Sequence, residues 1–364
     1  MTDSASTSRL GLLGTSAGEP LTSGVGTGEI GGLARDAAVP DLSEAHGARS
    51  KIDMHQHFCA PEWREWAGRH GLIKPEKLPP WSRLDTDAAI GFMDRAGIAT
   101  AVLKPMLPAR YRSSAQLREA INITLQSALE VASSHPGRFA FYVPLFLDDL
   151  DASSWAVRRG LGQLGAVGVN VTANYGGVYL GDPTYDRLFH ELNDLSAVVD
   201  THPHNLPDGA PGAVTVPGIP NFMCDFLLDT TRAAVNMITH GTLDRFPKIS
   251  VILPHAGGFL PYIVGRLEAL GRFCDPPLEP AAVRDHLRRF YYDTAAPMAG
   301  AAALLDHVPA DHLLFGTDFP AAPADTVTNL AIPALETDPA LTAGQLKGIY
   351  HDNALRLIPQ LASV

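Results

Sequence analysis

Cysteine is scarce in this chain. Cys59, Cys224 and Cys274 are the only three in 364 residues, and no two of them share a CxxC spacing. That excludes a disulfide framework and a thiolate metal site, and it fits thiols kept reduced in a cytoplasmic setting. Positive charge is also in short supply. The chain has 28 Lys and Arg against 39 Asp and Glu, a net charge of −11 with His neutral. It therefore offers no electrostatic attraction for nucleic acid or an anionic membrane. No apolar run approaches the roughly 18–20 residues that span a bilayer. The N-terminal stretch lacks the basic-then-apolar order of a secretory leader. These readings point to a cytoplasmic protein whose partner is a small molecule.

Apolar material is plentiful. Hydrophobic residues make up 46% of the chain, with 14 Phe, 9 Tyr and 4 Trp, enough to build a large core and exclude a mainly disordered chain. Gly (33) and Pro (29) are frequent, so connections are many and some are long. Residues 1–48 are rich in Gly, Ser, Thr and Ala and carry no sustained period. They are expected to form a mobile arm or a loosely docked extension.

From Lys51 onward, short apolar or β-branched runs alternate with stretches of helical composition. The runs are 51–58, 98–104, 139–145, 166–172, 197–203, 250–255, 289–294 and 312–317. Several lack polar alternation, as strands buried on both faces do. Helical stretches fall at 85–96, 114–134, 150–164, 182–195, 224–245, 258–272 and 297–308. This order predicts an α/β fold, a (β/α)8 TIM-like barrel over 49–364. A doubly wound open sheet is the runner-up, with no GxxxxGK loop to favour it. Two connections exceed what a compact barrel needs, 59–84 and 204–223, and such loops often act as lids or subunit contacts.

The histidines decide where chemistry sits. His55 and His57 form an HxH pair at the end of the first predicted strand, and residues i and i+2 of a strand share a face. His202 ends the fifth run, His255 the sixth, and Asp318 follows the eighth. All strand C-termini of a barrel surround one mouth, so these five groups are predicted to converge. Imidazole and carboxylate donors together suit Zn2+ or Mn2+. His204 competes with His202 as a ligand. Asp293, at the end of the seventh run, is read either as orienting a ligand histidine or as structural. Asn353 reads as a helix cap. Gly257 and Gly258 read as a tight turn into the next helix.

The segments DMHQHF (53–58), THPHN (201–205), ILPHAGGFLPYIVGR (252–266) and LLFGTDFP (313–320) resemble the amidohydrolase-2 family, which holds metal-dependent decarboxylases and hydrolases, aminocarboxymuconate semialdehyde decarboxylase among them. Within it the chain most resembles the 6-methylsalicylate decarboxylases, through PPW (79–81), the stretch Tyr179–Asp182, the helix Phe226–Arg232 and HAGGFLPY. The similarity covers residues 51–360.

The resemblance implies that His55, His57, His202 and Asp318 hold the metal, with His202 chosen over His204 because the family ligand directly precedes the first Pro. It implies that His255 is a catalytic acid/base. It further implies that Arg266 reaches the substrate carboxylate of an adjacent subunit, so that a homodimer is the minimal active unit. The three-histidine set favours Zn2+ over Mn2+. The expected reaction is non-oxidative decarboxylation of an ortho-hydroxybenzoate or related unsaturated acid, with His255 or Asp318 protonating the ring carbon before CO2 leaves. Phe58, Trp81 and Phe319 are candidate walls for the ring. The same ligands would also serve hydrolysis of a lactone or amide. A catalytically inert barrel acting as a binding module is the third reading, and no ligand position is substituted to favour it.

Overall fold

The computed structural model describes residues 50–206, 217–295 and 301–364. The expected extension at 1–48, half of the 204–223 connection and the start of the 297–308 stretch lie outside these described residues. Eight parallel strands run in sequence order around one sheet: β1 (Lys51–Phe58), β2 (Ile98–Pro105), β3 (Phe139–Pro144), β4 (Gly168–Thr172), β5 (Val198–His202), β6 (Ser250–Leu253), β7 (Tyr291–Asp293) and β8 (Leu313–Leu314). The chain around β8 returns to β1. Met54 N donates to Phe315 O (2.8 Å), Asp318 N to His55 O (2.9 Å) and His57 N to Phe319 O (2.7 Å). The predicted TIM-like barrel is thereby closed, with helices outside it.

Strand bounds follow the apolar runs closely, because a strand covered on both faces is apolar along its length. The 197–203 run became Val198–His202, and 312–317 shortened to Leu313–Leu314. Just past Leu314 the Phe315 backbone N donates to Ile349 O of the C-terminal segment at 3.0 Å, not to a neighbouring strand.

The inside and outside of the barrel are packed separately. Beneath the mouth, Ile52, Met54, Val102, Tyr142, Ile252 and Leu314 form an apolar plug, closed by Ala354, Ile358 and Leu361 from the C-terminal segment. The larger cluster lies between strands and helices. Of these, Trp63 and Trp66 belong to a helix, Pro61–Arg69, within the 59–84 stretch that was read as loop. Pro at its first turn and apolar residues three apart account for it. The 224–245 stretch divides into Asp225–Thr239 and Thr242–Arg245, because Gly241 takes φ 57.

Asn353 is not the cap expected. It lies inside helical chain that runs on from Ala343–Lys347 to Leu357, and its buried amide donates to Ala310 O (3.0 Å) and Leu313 O (2.8 Å). It braces the C-terminal helices to the start of β8.

Candidate metal centre

A register shift in β1 between Asp53 and Gln56 lets His55 follow the inward Met54 on the barrel side, alternation places His57 with it, and the adjacent strand ends bring the other groups to them. Donor atoms of His55, His57, His202 and Asp318 all lie within 4.8 Å of one another. The imidazole centroids are 5.1 Å apart for His55 and His57, 5.4 Å for His55 and His202, and 4.8 Å for His57 and His202. Asp318 Oδ1 is 2.8 Å from His57 Nε2 and 3.2 Å from His55 Nε2. His255 stands beside the group, its Nε2 3.7 Å from Asp318 Oδ2. His255, Ala256 and Asp318 all carry positive φ (53, 55 and 62). Non-glycine residues tolerate that conformation only where the surroundings hold it, and such strain gathers at functional sites.

The polar atoms fit a divalent cation. His55 Nδ1 faces Asp293 Oδ2 at 2.8 Å, and its buried Nε2 has no hydrogen-bond partner among the described residues. His202 Nδ1 donates to Pro203 O at 2.8 Å, so the Nε2 lone pair is free. Burial pushes the His57 imidazole down to about 4 and the His202 imidazole well below its usual value. Neutral rings are what metal ligation requires.

His55 goes the other way when no cation is present. Burial and the Lys104 charge oppose its protonation, but Asp293 and Asp318 more than offset them and hold it at about 9. A carboxylate-rich pocket that otherwise recruits a proton is one that a metal cation satisfies. Asp293 itself resists ionisation by burial, yet the His55 charge and hydrogen bond bring it to about 2.

Four polar residues of this interior were not singled out from the sequence. Asp53, two residues before His55, accepts from His55 N (3.0 Å), Thr317 N (3.0 Å) and Thr317 Oγ1 (2.6 Å), tying β1 to the chain before Asp318. Asp200, two residues before His202, pairs with Lys104 and accepts from Asn170. The signal was present: an acid at i−2 to a strand-end histidine, twice, and one lysine ending an apolar strand. A further carboxylate, Asp229, pins the loop after β5 through His204 N (2.7 Å) and Tyr179 Oη (2.8 Å). His204 thus takes part through its backbone, and His202 is the histidine within the cluster.

The remaining predicted site residues divide. The Trp81 ring lies 5.5 Å from that of His57. Phe58 and Phe319 line, with Gln56, His57 and Trp81, a cavity of about 310 Å3 that abuts the centre and extends between β1 and the helices Thr86–Ala96 and Ser114–Ser134. Phe319 is buried and stacks on Phe92 at 3.8 Å, so it also belongs to the helix-side core. Arg266 is exposed on the outer helix Leu260–Leu270. A second cluster, Asp244, Asp285 and His286, is already bridged by the Arg289 guanidinium.

A closed (β/α)8 barrel with a three-histidine, one-aspartate centre at its mouth defines a class of metal-dependent enzymes. The chain belongs to the amidohydrolase family, whose sequence pattern matches residues 52–360. It is 31% identical over 329 residues to a 6-methylsalicylic acid decarboxylase of Aspergillus aculeatus, covering 85% of this chain and 96% of the relative. It is 27% identical to a gamma-resorcylate decarboxylase of a Rhizobium species, over 75% and 88% of the two chains. Among solved structures, a manganese-bound dihydroxybenzoic acid decarboxylase of Polaromonas superposes with a TM-score of 0.71 at 21% identity, over 86% of this chain and 97% of that one. No helix among the described residues is long and apolar enough to cross a membrane.

Proposed function

We propose that this protein is a metal-dependent decarboxylase of a small ortho-hydroxybenzoate, with 6-methylsalicylate as the first substrate to test. One observation carries the reading. His255 stands beside the four-donor cluster, its Nε2 3.7 Å from Oδ2 of the donor Asp318, in a chain related along 85% of its length to a 6-methylsalicylic acid decarboxylase.

His55, His57, His202 and Asp318 hold the ion. Their nitrogen-rich composition supports Zn2+, with Mn2+ as the alternative. A bound divalent cation supplies Lewis-acid charge neutralisation and orientation for the substrate carboxylate and its ortho oxygen. Trp81 and Phe58 flank the aryl ring, and Phe319 backs that wall from the helix side.

Direct loss of CO2 would leave an in-plane carbanion that the ring cannot delocalise. Protonating the carboxyl-bearing carbon first makes it sp3. The carbon–carboxylate bond then breaks, its electron pair restores the aromatic ring, and CO2 departs. The proton comes from the pair formed by His255 Nε2 and Asp318 Oδ2 and ends on the ring carbon. General acid catalysis of this kind contributes about 10²–10⁴-fold.

The protein works in the cytoplasm as a homodimer in this reading, with Arg266 of one subunit reaching the carboxylate of the substrate in the other. Exposed Tyr262, Leu270 and Phe273 around Arg266 support a covered face there.

The test is to load the protein with Zn2+ and incubate it with 6-methylsalicylate and other aryl acids, measuring CO2 and the phenol. Stoichiometric release of both, lost on chelation and lost in His255→Ala with Zn2+ retained, is the expected result. Acid release from lactones or amides, with no CO2 from any aryl acid, would overturn it in favour of hydrolysis.

A further inference from the structure

Lys104 is the one buried lysine or arginine among the described residues, and it is fully buried. It lies near the end of β2, in register with the metal-site residue His57 on β1. A lone ammonium is expensive to remove from water unless it is paired and hydrogen-bonded. Its Nζ lies 3.1 Å from Asp200 Oδ2 and donates to Thr201 O at 3.3 Å, the carbonyl directly before His202. Asn170 Nδ2 donates to the same Asp200 Oδ2 at 2.6 Å. Both restraints therefore act on one oxygen. The other, Oδ1, is buried and has no hydrogen-bond partner among the described residues.

Asp200 and His202 are two apart on β5 and face the same side of the strand. Asp200 is thus a fully buried carboxylate one layer beneath the metal donors, and among the described residues its partners all meet Oδ2. Asp53, Asp293 and Asp318 already supply negative charge to this interior. A fourth unneutralised acid beside them would bind a divalent cation more tightly. It would also repel an anionic substrate and offer the ion a fifth donor beside the three imidazole nitrogens and the Asp318 oxygen.

We propose that Lys104 is a positioning residue that anchors Asp200 away from the metal donors and offsets its charge, which weakens metal binding and keeps the barrel mouth receptive to a carboxylate substrate. The proposal rests on the metal-site reading above and on the geometry of the buried Lys104–Asp200 pair. It accounts for a lysine buried in β2 and for the double restraint on a single oxygen of Asp200. It also follows from Coulomb's law in a medium that screens poorly: a fixed positive charge close to a cation site lowers cation affinity, and removing it raises that affinity.

The experiment measures Zn2+ affinity of the metal-free, full-length protein by competition with a chromophoric chelator. Wild type, Lys104→Met, Asp200→Asn and the double variant are compared, with folding followed by circular dichroism. Lys104→Met is expected to bind Zn2+ about tenfold more tightly or better, on the scale by which outer residues of metal sites act. Asp200→Asn is expected to bind about tenfold more weakly, and the double variant to return close to wild type. A purely structural role would weaken all three. Salicylate, titrated into the Zn2+-loaded proteins by tryptophan fluorescence, should bind Lys104→Met more weakly than wild type.

Unchanged or weaker Zn2+ binding by folded Lys104→Met overturns the proposal. If that variant does not fold, an Asp200→Asn protein that binds Zn2+ as tightly as wild type or more so overturns it equally. A wild-type protein that binds no Zn2+ or Mn2+ would instead remove the metal reading on which it stands.

Discussion

Asp293 serves two histidines at once. Its Oδ2 is 2.8 Å from His55 Nδ1 and its Oδ1 accepts from the backbone N of His255 at 2.8 Å. One carboxylate at the end of β7 therefore sets the ring of a metal-site residue on β1 and the backbone entering the turn after β6. Of the two readings left open for Asp293, orienting a histidine is the one the geometry supports. Exchange for asparagine places an amide N–H where an acceptor is needed. Asp293→Asn should bind Zn2+ about 10–100-fold more weakly in chelator competition, with its circular dichroism spectrum unchanged. Wild-type affinity would show that the contact does not orient His55.

The turn that carries His255 depends on Gly258. It sits at φ 65, and a Cβ there would lie 2.2 Å from Leu227 O and 2.9 Å from Thr231 Oγ1. The obstacle is backbone of the helix Asp225–Thr239, which cannot step aside as a side chain would. Gly258→Ala should lower the melting temperature and shift His255, reducing kcat more than Zn2+ affinity. A variant with unaltered melting and turnover would contradict this account.

Asn353 closes two carbonyls at the base of β8. Asn353→Ala leaves both without that donor in a buried setting, at a cost of about 1–3 kcal/mol. Denaturant melts should show the loss, while Zn2+ affinity stays at the wild-type value because the contact lies at the opposite end of the strand from Asp318. Equal melting midpoints would reject the brace.

The three thiols should separate by reactivity. Cys224 is exposed, and Cys59 is buried with its thiol pushed up to about 11 by burial, an effect that nearby Arg64 only partly opposes. The thiolate is the reactive form, so at pH 8 alkylation followed by mass spectrometry should modify Cys224 first and leave Cys59 intact. Reaction at Cys59 should grow only as pH rises toward that value. Early modification of Cys59 in folded protein would contradict its burial.

A site shared between subunits predicts complementation. Arg266→Ala and His255→Ala proteins, each nearly inactive, are coexpressed. In a mixed dimer one of the two sites has both residues intact, so random pairing restores roughly a quarter of wild-type turnover. No recovery in purified mixed dimers would confine Arg266 to another role.

Much of the architecture was legible from the chain. Strands buried on both faces must be apolar along their length, so the runs near Ile98, Phe139 and Ile252 announced themselves. The helix Pro61–Arg69 escapes a reading of the sequence because its two tryptophans and the prolines around it read equally well as a long loop. Asn353 was misread because a helix-start residue and a buried helical amide look alike until the partner carbonyls 40 and 43 residues away are known.

By itself the sequence determined the alternation of strand and helix, the shared face of His55 and His57, and the placing of His202, His255 and Asp318 at strand ends. These follow from local periods of two and about 3.6 residues, which the chain carries in its own order. The tertiary structure alone decided which groups touch: Asp293 with His55 across 238 residues, Asp318 with His57 across 261, and Lys104 with Asp200. Those pairings depend on barrel closure and strand register, where a shift of one residue would turn each side chain to the opposite face.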